Sequence, residues 1–124
     1  MDTFEVSTDS QCEVIDVTDQ VCERVPADAD RVTVFVEHTT AGVTVNEAES
    51  RLLSDFETAL SDLVPDSGWR HDEIDDNADA HVRSLLLGPD VTIPVVDGSL
   101  ALGRWQSVLF VECDGPRRRT VRVV

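Results

Sequence analysis

Three histidines are spread along the chain, His38, His71 and His81, and none lies inside an apolar strand. His38 follows the apolar alternation of residues 32–36 and opens the string His38-Thr39-Thr40-Ala41-Gly42. His71 sits in an acidic loop. His81 closes Asn77-Ala78-Asp79-Ala80-His81. Element ends, loops and polar helix faces are where chemistry-bearing side chains concentrate. An imidazole titrates near neutrality, so it can act as acid, base or metal ligand. Three imidazoles are also the usual ligand set of an open zinc site, with a fourth position left for water or substrate. The spacing is not a local motif such as HExxH, so only the fold can assemble the set. Three solvated histidines are the competing reading.

Helix geometry favours His81. Asn77, His81 and Ser84 are spaced i, i+4, i+7 and share one face. Val82, Leu85 and Leu86 cover a neighbouring face and are expected to pack on a sheet, which would set His81 at the edge of a cleft. Asn77 competes for a second role as helix N-cap, and Asn46 does the same at an earlier helix. Among the many carboxylates Glu112 stands out, because it ends the apolar run Val108-Leu109-Phe110-Val111. A carboxylate there needs solvent or a partner. Arg117, Arg118 and Arg119 follow at once, so a cross-strand ion pair competes with phosphate binding at that cluster. The acidic run Asp72, Glu73, Asp75 and Asp76 reads as a solvated face. Cys12, Cys22 and Cys113 form no CxxC pair and read as small hydrophobes.

The elements that must position these residues are mostly strands. Alternation predicts strands at 3–8, 11–16, 31–37, 43–45, 91–96, 100–102, 104–113 and 117–124. Thr18 is expected to cap a short helix that Pro26 stops. A longer helix repeats Leu52, Leu53, Phe56, Leu60 and Leu63 at helical spacing, with Asn46 as cap, Glu49 at the capping-box position and Pro65 as terminator. A second main helix spans about 78–87 and closes at Gly88-Pro89. Pro94 suggests an edge or bulge in its strand, and Asp97-Gly98 is a hairpin turn. The expected architecture is one α+β domain over residues 1–124, with two main helices and seven or eight largely antiparallel strands.

Composition bounds the partners. The 124 residues carry 25 acidic and 10 basic side chains, a formal charge of −15, and every basic residue is Arg. That surface disfavours nucleic acid, which rewards clustered cations. No apolar run approaches the roughly 20 residues of a membrane span, and the acidic start has no signal-peptide character, so a cytoplasmic protein is expected. Dense carboxylates without Lys also suit a high-salt interior, where repulsion is screened within about 3 Å at 1 M salt.

The string His38-Thr39-Thr40-Ala41-Gly42-Val43-Thr44-Val45-Asn46-Glu47 resembles the HTTAG(I/L)T(I/V)NE signature of the YjbQ-like family. So do Asn77-Ala78-Asp79-Ala80-His81, Ser84-Leu85-Leu86-Leu87-Gly88, Ile93-Pro94-Val95-Val96-Asp97-Gly98, Leu100-Ala101-Leu102-Gly103-Arg104-Trp105-Gln106 and Glu112-Cys113-Asp114-Gly115-Pro116-Arg117-Arg118-Arg119. Arg104 departs from the Thr usual before Trp-Gln, and the loop after His71 is more acidic than is usual. The resemblance implies a compact α+β fold, a homotrimer with polar residues near subunit boundaries, and a secondary thiamine-phosphate synthase activity. It places the family's histidines on His38, His71 and His81, as catalytic groups and metal ligands, and their polar companions on Asn46, Asn77 and Glu112. Thr39, Thr40, Ser84 and Arg117 to Arg119 are the expected substrate contacts. A small-molecule substrate follows. Zn²⁺ would suit the imidazoles, whereas a synthase would use Mg²⁺. Metal-assisted hydrolysis of a small phosphorylated or carbonyl substrate, and a non-enzymatic binding trimer, are the alternatives.

Overall fold

In the computed structural model, residues 2–124 are described. Their elements run β1 (Asp2–Ser7), β2 (Glu13–Asp16), α1 (Thr18–Cys22), β3 (Arg31–Val36), β4 (Ala41–Asn46), α2 (Ser50–Leu63), a single 3-10 turn (Arg70–Glu73), α3 (Ala78–Leu87), β5 (Asp90–Val96), β6 (Ser99–Leu100), β7 (Ser107–Glu112) and β8 (Arg118–Val123). The strands form two antiparallel sheets, one ordered β1-β8-β3-β5-β6 and the other β2-β7-β4.

Side-chain alternation explains the layering. Phe4 and Val6 of β1, Val32, Val34 and Val36 of β3, and Val121 and Val123 of β8 face inward from the larger sheet. They meet Val43, Val108 and Phe110 of the smaller one. The opposite face of the smaller sheet carries Val14, Leu109 and Val111, and these pack against Ala80 of α3 and Leu53, Phe56 and Leu60 of α2. β7 is therefore buried on both faces by its own chain. Under α2 a cavity of about 230 Å³ remains, lined by Val14, Phe56, Leu60, Leu87, Leu109 and Val111 among others.

Local signals held where one residue's conformation decides. Asp97 (φ 51°) and Gly98 (φ 78°) make the two-residue turn of the β5–β6 hairpin. α3 ends at Gly88 (φ 89°). Helix starts were less local. Glu49, not Asn46, caps α2, its carboxylate accepting from the N–H groups of Arg51 and Leu52. Asn46 instead accepts from the Glu47 N–H at 2.8 Å. Thr18 does not cap α1; its hydroxyl bonds Asp16 and receives the Val108 N–H at 2.9 Å, tying the helix to β7. The expected strand at 104–113 begins only at Ser107, and Trp105 lies in the preceding turn with the Arg104 guanidinium 5.0 Å above its ring.

The carboxylate excess has a thermodynamic consequence. With a net charge of −15 on 124 residues, self-repulsion opposes the compact state, and salt weakens it. Raising KCl from dilute to molar concentration is expected to raise the thermal midpoint by about 4 °C, the shift that roughly 1 kcal/mol produces in a domain of this size. A midpoint that stays flat or falls in a calorimetric salt series would refute this.

Candidate functional site

The ends of β3 and β7, the starts of β4 and β8, and the N-terminal turn of α3 converge at one end of the sandwich. Glu112 closes β7 with 0% exposure, and Arg119 in β8 has 1%. The two form a bidentate ion pair, with Arg119 Nε donating to Glu112 Oε2 at 2.8 Å and Nη2 donating to Oε1. The strands belong to different sheets, so this pair bolts the sandwich together rather than bridging neighbours in one ladder. Further hydrogen bonds surround the pair. Arg119 Nη2 also donates to the Thr40 hydroxyl (2.9 Å) and carbonyl (3.2 Å), the Thr8 hydroxyl donates to Glu112 Oε2 (3.0 Å), and the Asp114 N–H donates to Oε1 (3.0 Å). Burial pushes the Glu112 carboxyl up, but the Arg119 guanidinium and the Asp114 and Thr8 donors outweigh it and hold it below the ordinary range.

In front of this pair opens a cleft of about 430 Å³, lined by Glu37, His38, Thr39, Thr40, Asp75, Asn77, His81, Asp114, Arg117 and Arg119. Asn77 Nδ2 donates to Asp114 Oδ2 at 3.0 Å, and Arg117 Nη2 donates to the same oxygen at 3.0 Å. Asn77 thus bridges α3 to the loop after β7 and makes no side-chain cap. Its Oδ1 is buried and has no hydrogen-bond partner among the described residues. His38 Nε2 accepts the Thr120 N–H at 2.8 Å. That bond commits the Nε2 lone pair and leaves the neutral ring's proton on Nδ1. Burial and then the Arg119 charge push the His38 imidazolium down, so the ring is neutral at physiological pH and offers a donor.

His81 lines this cleft and also a neighbouring cavity of about 520 Å³, shared with Trp69, Arg70 and His71. The His71 and His81 rings meet edge to face, with centroids 5.0 Å apart, and His71 Nε2 is buried without a partner. Two imidazoles therefore gather while the third, His38, shares the cleft with His81 but has its Nε2 occupied. Among the described residues no three His, Cys, Asp or Glu side chains converge to hold a metal ion. The His38, His71 and His81 donor set does not fit the three-imidazole zinc site expected from the sequence.

The other expected site residues divide cleanly. Thr39, Thr40, Asn77 and Arg117 line the cleft, with Glu112 and Arg119 as its buried floor. Arg118 points elsewhere and pairs with Glu5 at 3.2 Å. Ser84 is buried and donates to the Ala41 carbonyl at 2.7 Å, fastening α3 to β4. Asn46 lines the apolar cavity under α2. Leu85 and Leu86, expected on the sheet, are 79% and 63% exposed. α3 instead buries Asp79, Ala80, Arg83 and Ser84. Arg83 reaches the carbonyls of Leu60 (3.1 Å) and Val64 (2.8 Å) and the carboxylates of Asp66 (2.9 Å) and Asp79 (2.6 Å). This charged anchor faces α3 inward on Arg83, with Leu85 and Leu86 on the outer side and Leu87 against the core. Sequence reasoning missed Glu37, Asp75 and Asp114 as cleft residues and Thr8 as a support. Asp114 carried a signal, since it adjoins Glu112 and faces the arginine run, but it read as a turn residue.

The loop behind the floor tolerates no side chain at Gly115. A Cβ there would stand 2.3 Å from the Ser10 carbonyl oxygen, 2.7 Å from the Thr8 hydroxyl and 2.9 Å from Glu112 Cγ. The Gly115 N–H also holds the Gln11 carbonyl at 3.1 Å. Gly115→Ala is expected to destabilise by about 3 kcal/mol, the upper end of ordinary overpacking, as read from the denaturant midpoint. A loss under about 0.5 kcal/mol would show that the loop can move aside.

Comparison with known proteins extends over the whole fold. The family model described as UPF0047 protein YjbQ-like matches residues 2–124. A UPF0047 protein of Methanothermobacter thermautotrophicus is 46% identical over 120 residues, covering 94% of this chain and 84% of that one. One from Archaeoglobus fulgidus is 46% identical over 119 residues, covering 95% and 94%. Among solved structures, a hypothetical protein of Aeropyrum pernix K1 superposes with TM-score 0.95 at 44% identity, covering 99% of this chain and 95% of its own. A Sulfolobus solfataricus protein described as YbjQ-like and of unknown function superposes with TM-score 0.93 at 39% identity, covering 98% and 92%. Among the described residues no helix is long and apolar enough to cross a membrane.

Proposed function

The chain belongs to the YjbQ-like UPF0047 family, and from that premise we propose that its cleft binds a small phosphorylated molecule and carries out a weak thiamine-phosphate synthase-type reaction. The observation that carries this reading is the cleft itself, where His38, Thr39, Thr40, Asn77, His81 and Arg117 face one space of about 430 Å³. In that reaction the thiazole ring nitrogen forms a bond to the pyrimidine methylene carbon. The carbon–oxygen bond to pyrophosphate breaks, and its electron pair leaves with the pyrophosphate. Arg117 and the Nδ1–H of His38 supply donors to phosphate oxygens. His81 holds or gives a proton where leaving-group charge develops. The Arg119–Glu112 pair keeps the floor rigid and dry.

One observation favours a second reading, hydrolysis of a singly phosphorylated substrate. Of the three clustered arginines Arg118 pairs with Glu5 and Arg119 is tied through Nε and Nη2 to Glu112 and Thr40, while Glu37, Asp75 and Asp114 share the cleft with Arg117. That balance suits one phosphate better than a pyrophosphate. Assembly as a homotrimer is proposed from the family resemblance, and the outward Leu85 and Leu86 of α3 are the apolar surface such an assembly would cover.

The test incubates the purified chain with the pyrimidine pyrophosphate and thiazole phosphate pair, with chelator and with added Mg²⁺ or Zn²⁺. Thiamine phosphate and released pyrophosphate are measured, and p-nitrophenyl phosphate hydrolysis is run in parallel. Thiamine phosphate appearing in step with pyrophosphate supports the first reading. Hydrolysis alone supports the second, and neither product sinks both. Light scattering on the same sample should give about three times the 13.7 kDa chain mass.

A further inference from the structure

The three cysteines are free, with Cys22 exposed, Cys12 half-buried and Cys113 buried. Sequence order separates the last two, but strand register does not. β2 and β7 pair Glu13 with Glu112 and Val14 with Val111. One step further along that register sets Cys12 opposite Cys113.

The backbone hydrogen bonds say which kind of pair this is. The Val14 N–H turns away from β7 and donates to Glu57 Oε1 at 3.1 Å. The Cys113 N–H turns away from β2 and donates to the Thr40 carbonyl at 3.1 Å. Residues whose N–H groups point away from the partner strand form the non-hydrogen-bonded pairs of an antiparallel ladder, with Cα atoms about 4.5 Å apart and side chains at their closest. Val14–Val111 is one such pair, and Cys12 and Cys113 lie just past the last ladder pair, Glu13–Glu112, where the register carried on by one residue makes them the next of the same kind. Because side chains alternate, both thiols leave the sheet on the face of Val14 and Val111. Beyond them the Gly115 N–H holds the Gln11 carbonyl at 3.1 Å, so the two segments stay together past the ladder. A disulfide spans Cα separations of about 4.4–6.8 Å, which includes this class of pair. The proximity also shows in the Cys113 thiol, which burial pushes up to about 12 with Cys12 as the next contributor.

We infer that Cys12 and Cys113 are a dithiol site that closes to an intramolecular disulfide when a small disulfide oxidant, such as oxidised glutathione, reaches Cys12. The half-buried Cys12 is the attacking group. Its thiolate bonds to one glutathione sulfur, the glutathione S–S bond breaks, and one glutathione leaves as thiolate and takes up the Cys12 proton. Cys113, buried beside it, then attacks the Cys12 sulfur of the mixed disulfide. The second glutathione leaves with the Cys113 proton. Two thiols are oxidised and one disulfide is reduced to two glutathione molecules. The bridge ties the start of β2 to the strand end that carries Glu112 and Asp114, behind the cleft. It does not depend on what the cleft binds.

The test uses the full chain carrying Cys22→Ser, which removes the exposed competitor. It is incubated with oxidised glutathione at alkaline pH, because burial holds both the Cys12 and Cys113 thiols above the ordinary range, and thiols are then counted in denaturant. The expected result is a fall from two thiols to none, a mass lower by two hydrogens, and a digest in which residues 12 and 113 are joined. Adding Cys12→Ser should abolish the bridge. Adding Cys113→Ser should leave glutathione held on Cys12 as a stable adduct. Two thiols still free, or glutathione bound separately to both, would overturn the inference. If Cys113→Ser does not fold, the thiol count and the joined digest of the Cys22→Ser chain decide alone.

Discussion

Arg119→Ala should unfold about 3–5 kcal/mol more easily than the native chain, the range for breaking a buried pair from one side. Glu112 would remain at 0% exposure with its charge unpartnered, and Thr40 would lose the donor that fixes the start of β4. The two residues sit in different sheets, so the loss loosens the sandwich and the cleft floor together. Glu112→Gln added to Arg119→Ala should recover part of the loss, because it removes the orphaned charge. The pH dependence follows from Glu112 being held below its ordinary range. Its contribution is fully present above the unfolded glutamate pKa of about 4.3 and is lost as pH falls through the lower folded value. In Arg119→Ala burial is opposed only by the Asp114 and Thr8 donors, and the acid limb should move to higher pH. Denaturant midpoints measured across that range check both statements. A loss below about 1 kcal/mol would mean that water reaches Glu112 readily.

His81→Ala should lower turnover by about 10²–10⁴-fold, the usual worth of a positioned acid or base, while the thermal midpoint stays within a degree or two. Among the described residues His81 makes no side-chain hydrogen bond; it meets the His71 ring and two open spaces. His38→Ala serves as the contrast. Its Nε2 receives the Thr120 N–H, so its loss should cost stability of about 1 kcal/mol as well as activity. Matched measurements of kcat and midpoint separate the two roles. Unchanged turnover in His81→Ala would remove it from the chemistry, and a large fall in midpoint would make it structural.

Local conformation made part of this molecule readable in advance. The Asp97-Gly98 turn and the Gly88 stop of α3 each rest on one or two residues whose backbone angles few others accept. The strand alternation of residues 32–36 similarly needs only one apolar face. Where several neighbours could do the same job, the reading slipped: Asn46 and Glu49 both accept hydrogen bonds, and only the helix's actual entry angle chose Glu49. α3 shows the same limit at longer range. Its Leu85 and Leu86 read as the buried face, but Arg83, a residue normally solvated, is the buried one, with oxygen partners at Leu60, Val64 and Asp66 in other segments and at Asp79 in its own helix.

The amino-acid order alone determined the α+β class, the antiparallel strands, the acidic surface and the short list on which His38, His81, Asn77 and Glu112 appear, since each follows from residue type and spacing of a few positions. Tertiary structure alone decided which of them share a space: the ion pair across two sheets, the occupied Nε2 of His38, the separation of Ser84, Asn46 and Arg118 from the cleft, and the facing of Cys12 and Cys113. The physical reason is range. Helix, strand and turn preferences act over a handful of bonds, whereas a buried charge takes its partner from whatever segment the packed core brings within reach.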